Sequence, residues 1–333
     1  MLSPSDLITL PYTPDLTTAG IAYACRSLSY TYDRMGGSRF ARLRRIVAGI
    51  AVELAFRRYL QASEVAFDLL GATHFTEPDR YDIALGGRRC DLKSFMLYRK
   101  QKIRLIRARP ETLLTAQALV PEDQLTSDHF QDEDLYIFAF LTALITPDRT
   151  ALRRALAARQ PVFLIHPLPQ KWARPSRWRP LGRLAMKAEL EAPLTVEIGG
   201  QDAGRAFRVE QIELLPNKRV ELGEDWHTIS YLSIPRPLSG RVGLHSPVLG
   251  QTYLVQPHQW GNIWVYGMEI ILAGYMTRGE FRRRAKRLPA GSRVFQYPRT
   301  RTDNWSVPVA DLHAIPDLFV RAQNWRHQQA GRI

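Results

Sequence analysis

The chain has 333 residues, enough for two domains whose apolar cores need no disulfide or metal staple. Its hydrophobic content of 45% excludes global disorder, while a net charge of +14 and a pI near 10.1 point to a polyanionic partner, most often nucleic acid. Two cysteines, Cys25 and Cys90, are too few for a disulfide framework or a thiolate metal site.

Residues 1–37 show little periodicity beyond a short helix-like segment around Ile21 to Cys25. No basic leader region opens them, so the expectation is a protein without a signal peptide, reduced and cytoplasmic. Residues 38–61 lack proline and place Leu43, Ile46, Val47, Ile50, Leu54 and Ala55 at helical spacing, with Ser38 positioned as N-cap. Glu53 falls on that apolar stripe, where a carboxylate is costly unless a cation or donor meets it; Arg57, one turn on, is one such donor.

Residues 64–70 read as a strand. Residues 81–85 and 88–95 read as two more, joined by Gly86-Gly87, a dipeptide that supplies the positive φ angles of a two-residue hairpin turn. Counting outward from that turn sets Leu85 opposite Arg88, Ala84 opposite Arg89, Ile83 opposite Cys90 and Asp82 opposite Asp91. Two carboxylates facing each other repel, which points to a bound cation or a raised pKa. Lys93, two residues beyond Asp91, projects from the same face, and the strand is expected to continue through Ile103 and Leu105.

Pro110 opens an expected helix over residues 111–119. Residues 135–144 form a continuous apolar strand of the kind buried on both faces, and this longest apolar run is too short to span a bilayer. A helix over 150–159 and a strand over 162–165 follow.

Prolines then interrupt residues 167–193, read as a basic, Pro- and Trp-rich linker. There Lys171, Arg174, Arg177, Arg179, Arg183 and Lys187 interleave with Trp172 and Trp178, a composition suited to phosphate contact with base stacking, or to a tethering arm whose indoles pack on a domain. Residues 194–333 are expected to form a β-rich sandwich or barrel-like domain for substrate recognition, with strands over 194–198, 207–214, 227–232, 251–255 and 264–272. Its aromatics, Trp226, Tyr231, Tyr253, Trp260, Trp264 and Tyr266, are read first as core. Thr277 and Glu280 form a capping box for a basic helix over 278–288. Arg282, Arg283, Arg284, Lys286 and Arg287 in that helix are too one-sided for self-neutralisation and are assigned to phosphate contact. No phosphate-binding Gly-Lys-Ser/Thr loop, dinucleotide fingerprint, Gly-x-Ser-x-Gly elbow or metal-ligand histidine spacing is present.

Glu53, Asp82 and Asp91-Leu92-Lys93, in that order, resemble the signature of the PD-(D/E)xK nucleases, over roughly residues 38–166. The residue before the first Asp is Tyr81 rather than the usual Pro. The resemblance implies an α/β restriction-endonuclease-like core of helix, three strands, helix and strand. It also implies a Mg²⁺ ion, with Mn²⁺ as substitute, on Asp82 and Asp91, with Glu53 binding through water or helping to hold a second ion. Lys93 would position or activate the attacking hydroxide, giving 5′-phosphate and 3′-hydroxyl ends.

The expected function is therefore a Mg²⁺-dependent DNA endonuclease in restriction or other defence against foreign DNA. Dimerisation would allow double-strand cleavage, and partner proteins of a defence system are further expected contacts. The alternatives are a repair, recombination or transposition nuclease, an RNase of the same fold, or a non-catalytic nucleic-acid-binding or assembly module.

Overall fold

The structure, a computed structural model, describes residues 1–28, 38–69, 83–127, 131–174 and 179–330. In chain order its elements begin with β1 (Ile8–Leu10), α1 (Pro14–Ser27), α2 (Arg39–Ala62), β2 (Phe67–Asp68), β3 (Ile83–Leu85), β4 (Arg88–Leu97), α3 (Lys100–Ala108), β5 (Gln117–Pro121), α4 (Glu122–Leu125) and β6 (Leu135–Leu144). They continue with α5 (Arg149–Ala157), β7 (Leu164–Pro167), α6 (Gln170–Ala173), β8 (Gly182–Ala188), β9 (Leu194–Asp202), β10 (Phe207–Leu214) and β11 (Arg219–Ile234). Last come β12 (Val242–Ser246), β13 (Gln251–Val255), β14 (Gly261–Asn262), β15 (Tyr266–Thr277), α7 (Arg278–Arg284), β16 (Lys286–Leu288), β17 (Asn304–Pro308) and α8 (Ile315–Ala330).

The chain divides into two units: Met1–Thr18, Ala48–Leu144 and Val265–Ile333 form the first, and Ala19–Val47 and Ile145–Trp264 the second. The first is mixed α/β and the second carries a separate antiparallel sheet. Among the described residues, no helix is long and apolar enough to cross a membrane.

In the first unit a six-stranded sheet runs in the order β1-β15-β6-β4-β3-β2. β4 and β6 are parallel and every other pair is antiparallel. Gly86 and Gly87 have φ of 53° and 77°, the double positive turn that two-residue hairpins require. The register is the expected one, Leu85 with Arg88, Ala84 with Arg89 and Ile83 with Cys90. Parallel pairing of β4 and β6 demands a crossover, which α3 and β5 supply. β6 is buried along nearly its whole length because both sheet faces are covered.

One of those faces is an aromatic and aliphatic core. Phe95 of β4 meets Phe140 of β6 at 5.3 Å between ring centroids, Phe138 lies 5.9 Å from Phe281 of α7, and Tyr136 lies 5.5 Å from the same ring. Leu97, Ile106 and Leu119 join them, so α3 and β5 pack on this face. A small sheet, β16-β17-β5, completes the unit.

Three expectations are corrected here. Residues 98–105 do not prolong the strand: β4 ends at Leu97, and Ile103 and Ile106 turn inward at helical spacing in α3. Residues 110–115 form a 3-10 turn, and 117–121 are strand rather than helix. Residues 194–333 are not one domain. β15 is apolar enough to be buried on both faces and pairs with β6 and β1, so 265–333 complete the first unit.

The second unit is an eight-stranded antiparallel sheet, β10-β9-β11-β8-β12-β13, with β7 on β11 and β14 on β7. Part of the expected linker is strand: β8 buries Leu184, Met186 and Ala188 between β11 and β12. The aromatics expected as core are largely that, with Trp226, Tyr231 and Trp260 buried. A buried arginine ties its pieces together, since Arg44 donates to Asn262 O at 2.8 Å and to Thr146 O at 2.7 Å.

Candidate functional site

Strand alternation decides what β4 can present. Its odd-numbered residues share one face, which is why Phe95 and Leu97 enter the aromatic core and why Asp91 and Lys93 project from that same side. Asp91 and Lys93 form an ion pair in which both side chains are mostly shielded, at 16% and 12% exposure. Lys93 also donates to Gln124 Oε1 of α4 at 2.7 Å, and its ammonium lies 5.9 Å from the centre of the Tyr136 ring. Burial, first, and then the Asp91 charge push the Tyr136 hydroxyl upward from its usual range. The result is a two-oxygen cradle, Asp91 Oδ2 and Gln124 Oε1, around one positive group.

The even-numbered residues face α2. A Cβ added at Gly49 would stand 3.8 Å from Ser94 Oγ, so the helix crosses β4 on the side away from Asp91 and Lys93. Glu53 follows Gly49 by four residues and lies on the same side of the helix. It pairs with Arg57 at 3.8 Å, the donor expected for it. The side of β4 that α2 crosses is set by the parity of the strand. Asp82 lies outside the described residues; the register reaches Ile83 with Cys90, one position short of it.

A carboxylate such as that of Asp91 is a ligand that hard cations take. Among the described residues, no group of three or more His, Cys, Asp or Glu side chains could hold a metal ion.

The expected phosphate-contacting residues fare unevenly. Arg282 pairs with Asp132 at 3.4 Å, Arg284 with Glu280 at 3.0 Å and Asp311 at 3.5 Å, and Arg287 with Glu122 at 3.3 Å and Asp303 at 2.9 Å. Three arginines of the run that lacks acids in sequence are thus answered by acids from elsewhere. Arg283 and Lys286 are exposed and pair with no acid among the described residues. α7 ends at Arg284, and of the expected capping box Thr277 makes its half, accepting from Glu280 N at 3.2 Å, while the Glu280 carboxylate is held by His313 and Arg284.

In the other expected basic stretch, Lys171 is exposed and donates to Gln251 Oε1 at 2.8 Å, and Arg174 and Arg179 are exposed. Arg177 and Trp178 lie outside the described residues. Trp172 is buried in the core of the second unit, at 2% exposure, so it is not available for base stacking.

Comparison with protein-family models, with curated proteins and with solved structures finds no match to this chain.

Proposed function

We propose that this protein is a Mg²⁺-dependent phosphodiesterase acting on nucleic acid, with its active centre on the β3–β4 hairpin. One observation carries the reading: Asp91 and Lys93 stand side by side on one face of a strand that follows a tight hairpin and runs parallel to β6 through the α3 crossover. The order α2, β2, β3, β4, α3, β6, with β5 and α4 inserted between the last two, supports the same reading, since it resembles the restriction-endonuclease-like core.

In this reading Asp91 would hold the ion together with Asp82, the residue that the resemblance joins to it. Glu53 is left out of the ligand set because its helix crosses the opposite face. When bound, the ion supplies charge neutralisation at the phosphate and a water of lowered pKa. Lys93 offers a positive donor to charge developing on the phosphate oxygens. Gln124 holds that ammonium in position. Defence against foreign nucleic acid is the biological setting we infer, from a nuclease-like unit joined to a second unit able to select substrate.

A second reading has its own observation. Asp91 and Lys93 neutralise each other, as they would in a non-catalytic nucleic-acid-binding module. Supercoiled and linear DNA, single strands and RNA incubated with Mg²⁺, Mn²⁺ or EDTA separate the two. Cleavage that needs the metal and disappears in Asp91→Ala and Lys93→Ala supports the phosphodiesterase. Salt-dependent binding without any cleavage sinks it in favour of the binding module.

A further inference from the structure

The first unit carries a second basic surface, built on α3 and the loop between β16 and β17. Residues 99–109 contain Arg99, Lys100, Lys102, Arg104, Arg107 and Arg109, and no acid falls between Asp91 and Glu111. Arg293 and Arg299 lie in a stretch with no acid between Glu280 and Asp303. The two pieces are in contact, since the Lys102 ammonium sits 4.8 Å from the centre of the Phe295 ring.

This surface differs from the cations of α7 and β16 in one respect that matters. There, acids from distant parts of the chain answer three of the arginines. Here Arg107 pairs with Glu269, whereas Arg99, Lys100, Arg104, Arg293 and Arg299 are exposed and pair with no acid among the described residues. Arg99, Lys100 and Lys102 also crowd the beginning of a helix whose first turn has no acid, where the helix dipole disfavours cations. Burial, first, and then the charge of Arg99 lower the Lys102 pKa, so the cluster carries a self-repulsion that an external anion would relieve.

We infer that α3, with Arg293 and Arg299, is a docking surface for the phosphate backbone of a nucleic-acid duplex. An anionic membrane is the weaker fit. A helix that binds in a lipid surface offers a broad apolar face to the acyl chains, but Ile103 and Ile106, the apolar face of α3, are buried in the protein core. The surface also suits the proposed active centre. α3 begins directly after β4, and roughly 13 Å of strand separates Lys93 from Leu97 at the end of β4. The inference rests on nucleic acid as partner but not on cleavage.

The test is duplex binding by the full chain in EDTA, followed by fluorescence anisotropy across a salt series. A variant combining Lys100→Gln, Arg104→Gln, Arg293→Gln and Arg299→Gln is compared with wild type. The charge-matched control combines Arg58→Gln, Arg208→Gln, Arg219→Gln and Arg241→Gln, all arginines with acid partners elsewhere on the molecule. The docking variant is expected to bind at least about tenfold more weakly at moderate salt, with a salt slope shallower by roughly 0.9 for each phosphate that is no longer neutralised. The control is expected to stay within about threefold of wild type.

Should the combined variant fail to fold by its thermal transition, Arg104→Gln and Arg299→Gln are measured singly, each expected to flatten the slope by roughly one phosphate's share, and Arg104→Lys to retain it. Equal weakening in docking variant and control, no weakening in either, or binding to anionic vesicles in place of duplex would each overturn the inference. Duplex binding through this surface with no cleavage in Mg²⁺ would leave it standing and remove only the phosphodiesterase reading.

Discussion

Asp91 and Lys93, two residues apart on one strand, are ion-paired beneath α4, with Gln124 completing the ammonium's contacts. The pair is mostly shielded from solvent, so its two halves depend on each other more than exposed partners do.

Removing one half should therefore be felt both in function and in stability. Lys93→Met leaves the Asp91 carboxylate without its cation and is predicted to lower unfolding free energy by about 1–3 kcal/mol, read from the denaturant midpoint. Asp91→Asn is predicted to reduce metal-dependent cleavage by at least about a hundredfold while keeping duplex binding. Full cleavage in the Asn variant would move the active centre elsewhere.

The hairpin turn makes the next prediction. Gly86 and Gly87 both have positive φ, and Gly86 is crowded as well, since a Cβ there would stand 2.8 Å from Ala322 O and 2.9 Å from Trp325 Cβ. Gly87→Ala should cost at least about 1 kcal/mol from its backbone angle. Gly86→Ala should cost about 2–3 kcal/mol, with displacement of α8 added to the strain. A cost of only about 1 kcal/mol for Gly86→Ala would show that α8 yields freely.

In the second unit, Tyr231 lies across β9 over Gly199, where an added Cβ would be 2.1 Å from the ring. The Tyr231 hydroxyl donates to Glu197 Oε1 at 2.9 Å. Gly199→Ala must expel the ring, and we predict a loss of about 3 kcal/mol or more. Gly199→Ala combined with Tyr231→Leu should recover a substantial part of it, whereas strict additivity of the two costs would contradict this packing.

A pH dependence follows from His166. Its Nε2 lies 2.9 Å from Tyr253 Oη and its Nδ1 3.1 Å from Gln259 O, and the ring is buried. Burial lowers its pKa below 6.5, the Gln259 carbonyl acts in the opposite sense, and the charge of Arg39 adds to the lowering. In the unfolded chain the imidazole takes up a proton near 6.5, before the folded protein does. The stability this group contributes is thus present above that pH and is lost as the pH falls toward the lower folded value. Chemical denaturation at about pH 7.5 and about pH 5 should show wild type losing stability on acidification, and His166→Gln losing less.

Asp303 supplies a last check, on the neutralised arginines. It accepts from Ala290 N at 2.7 Å and from Arg287 at 2.9 Å, fixing the strand that follows α7. Asp303→Ala is predicted to cost about 1–2 kcal/mol, whereas the exposed Arg283→Ala should change stability by less than about 0.5 kcal/mol.

Much of the local structure is legible in the sequence. A diglycine flanked by bulky residues announces the hairpin and its register, an unbroken apolar run announces β6, and Asp148 and Thr277 cap their helices as serine-, threonine- and aspartate-led starts commonly do. The run from Lys102 to Leu105 misleads because basic and apolar residues alternate there over a few positions. Only Ile106, one step further, reveals helical spacing.

By itself the sequence determined the periodicities, the turn at Gly86-Gly87, the side of β4 that Asp91 and Lys93 share, and a charge balance suited to a polyanionic partner, because each depends on near neighbours or on simple sums. Only the tertiary structure decided that β15 returns to pair with β6, that Asp132, Glu122 and Asp303 answer the arginines around α7, and that α2 crosses β4 at Ser94, away from Asp91. Those outcomes depend on which faces and which charges meet across long separations in the chain, and such separations leave no periodic trace in the order of residues.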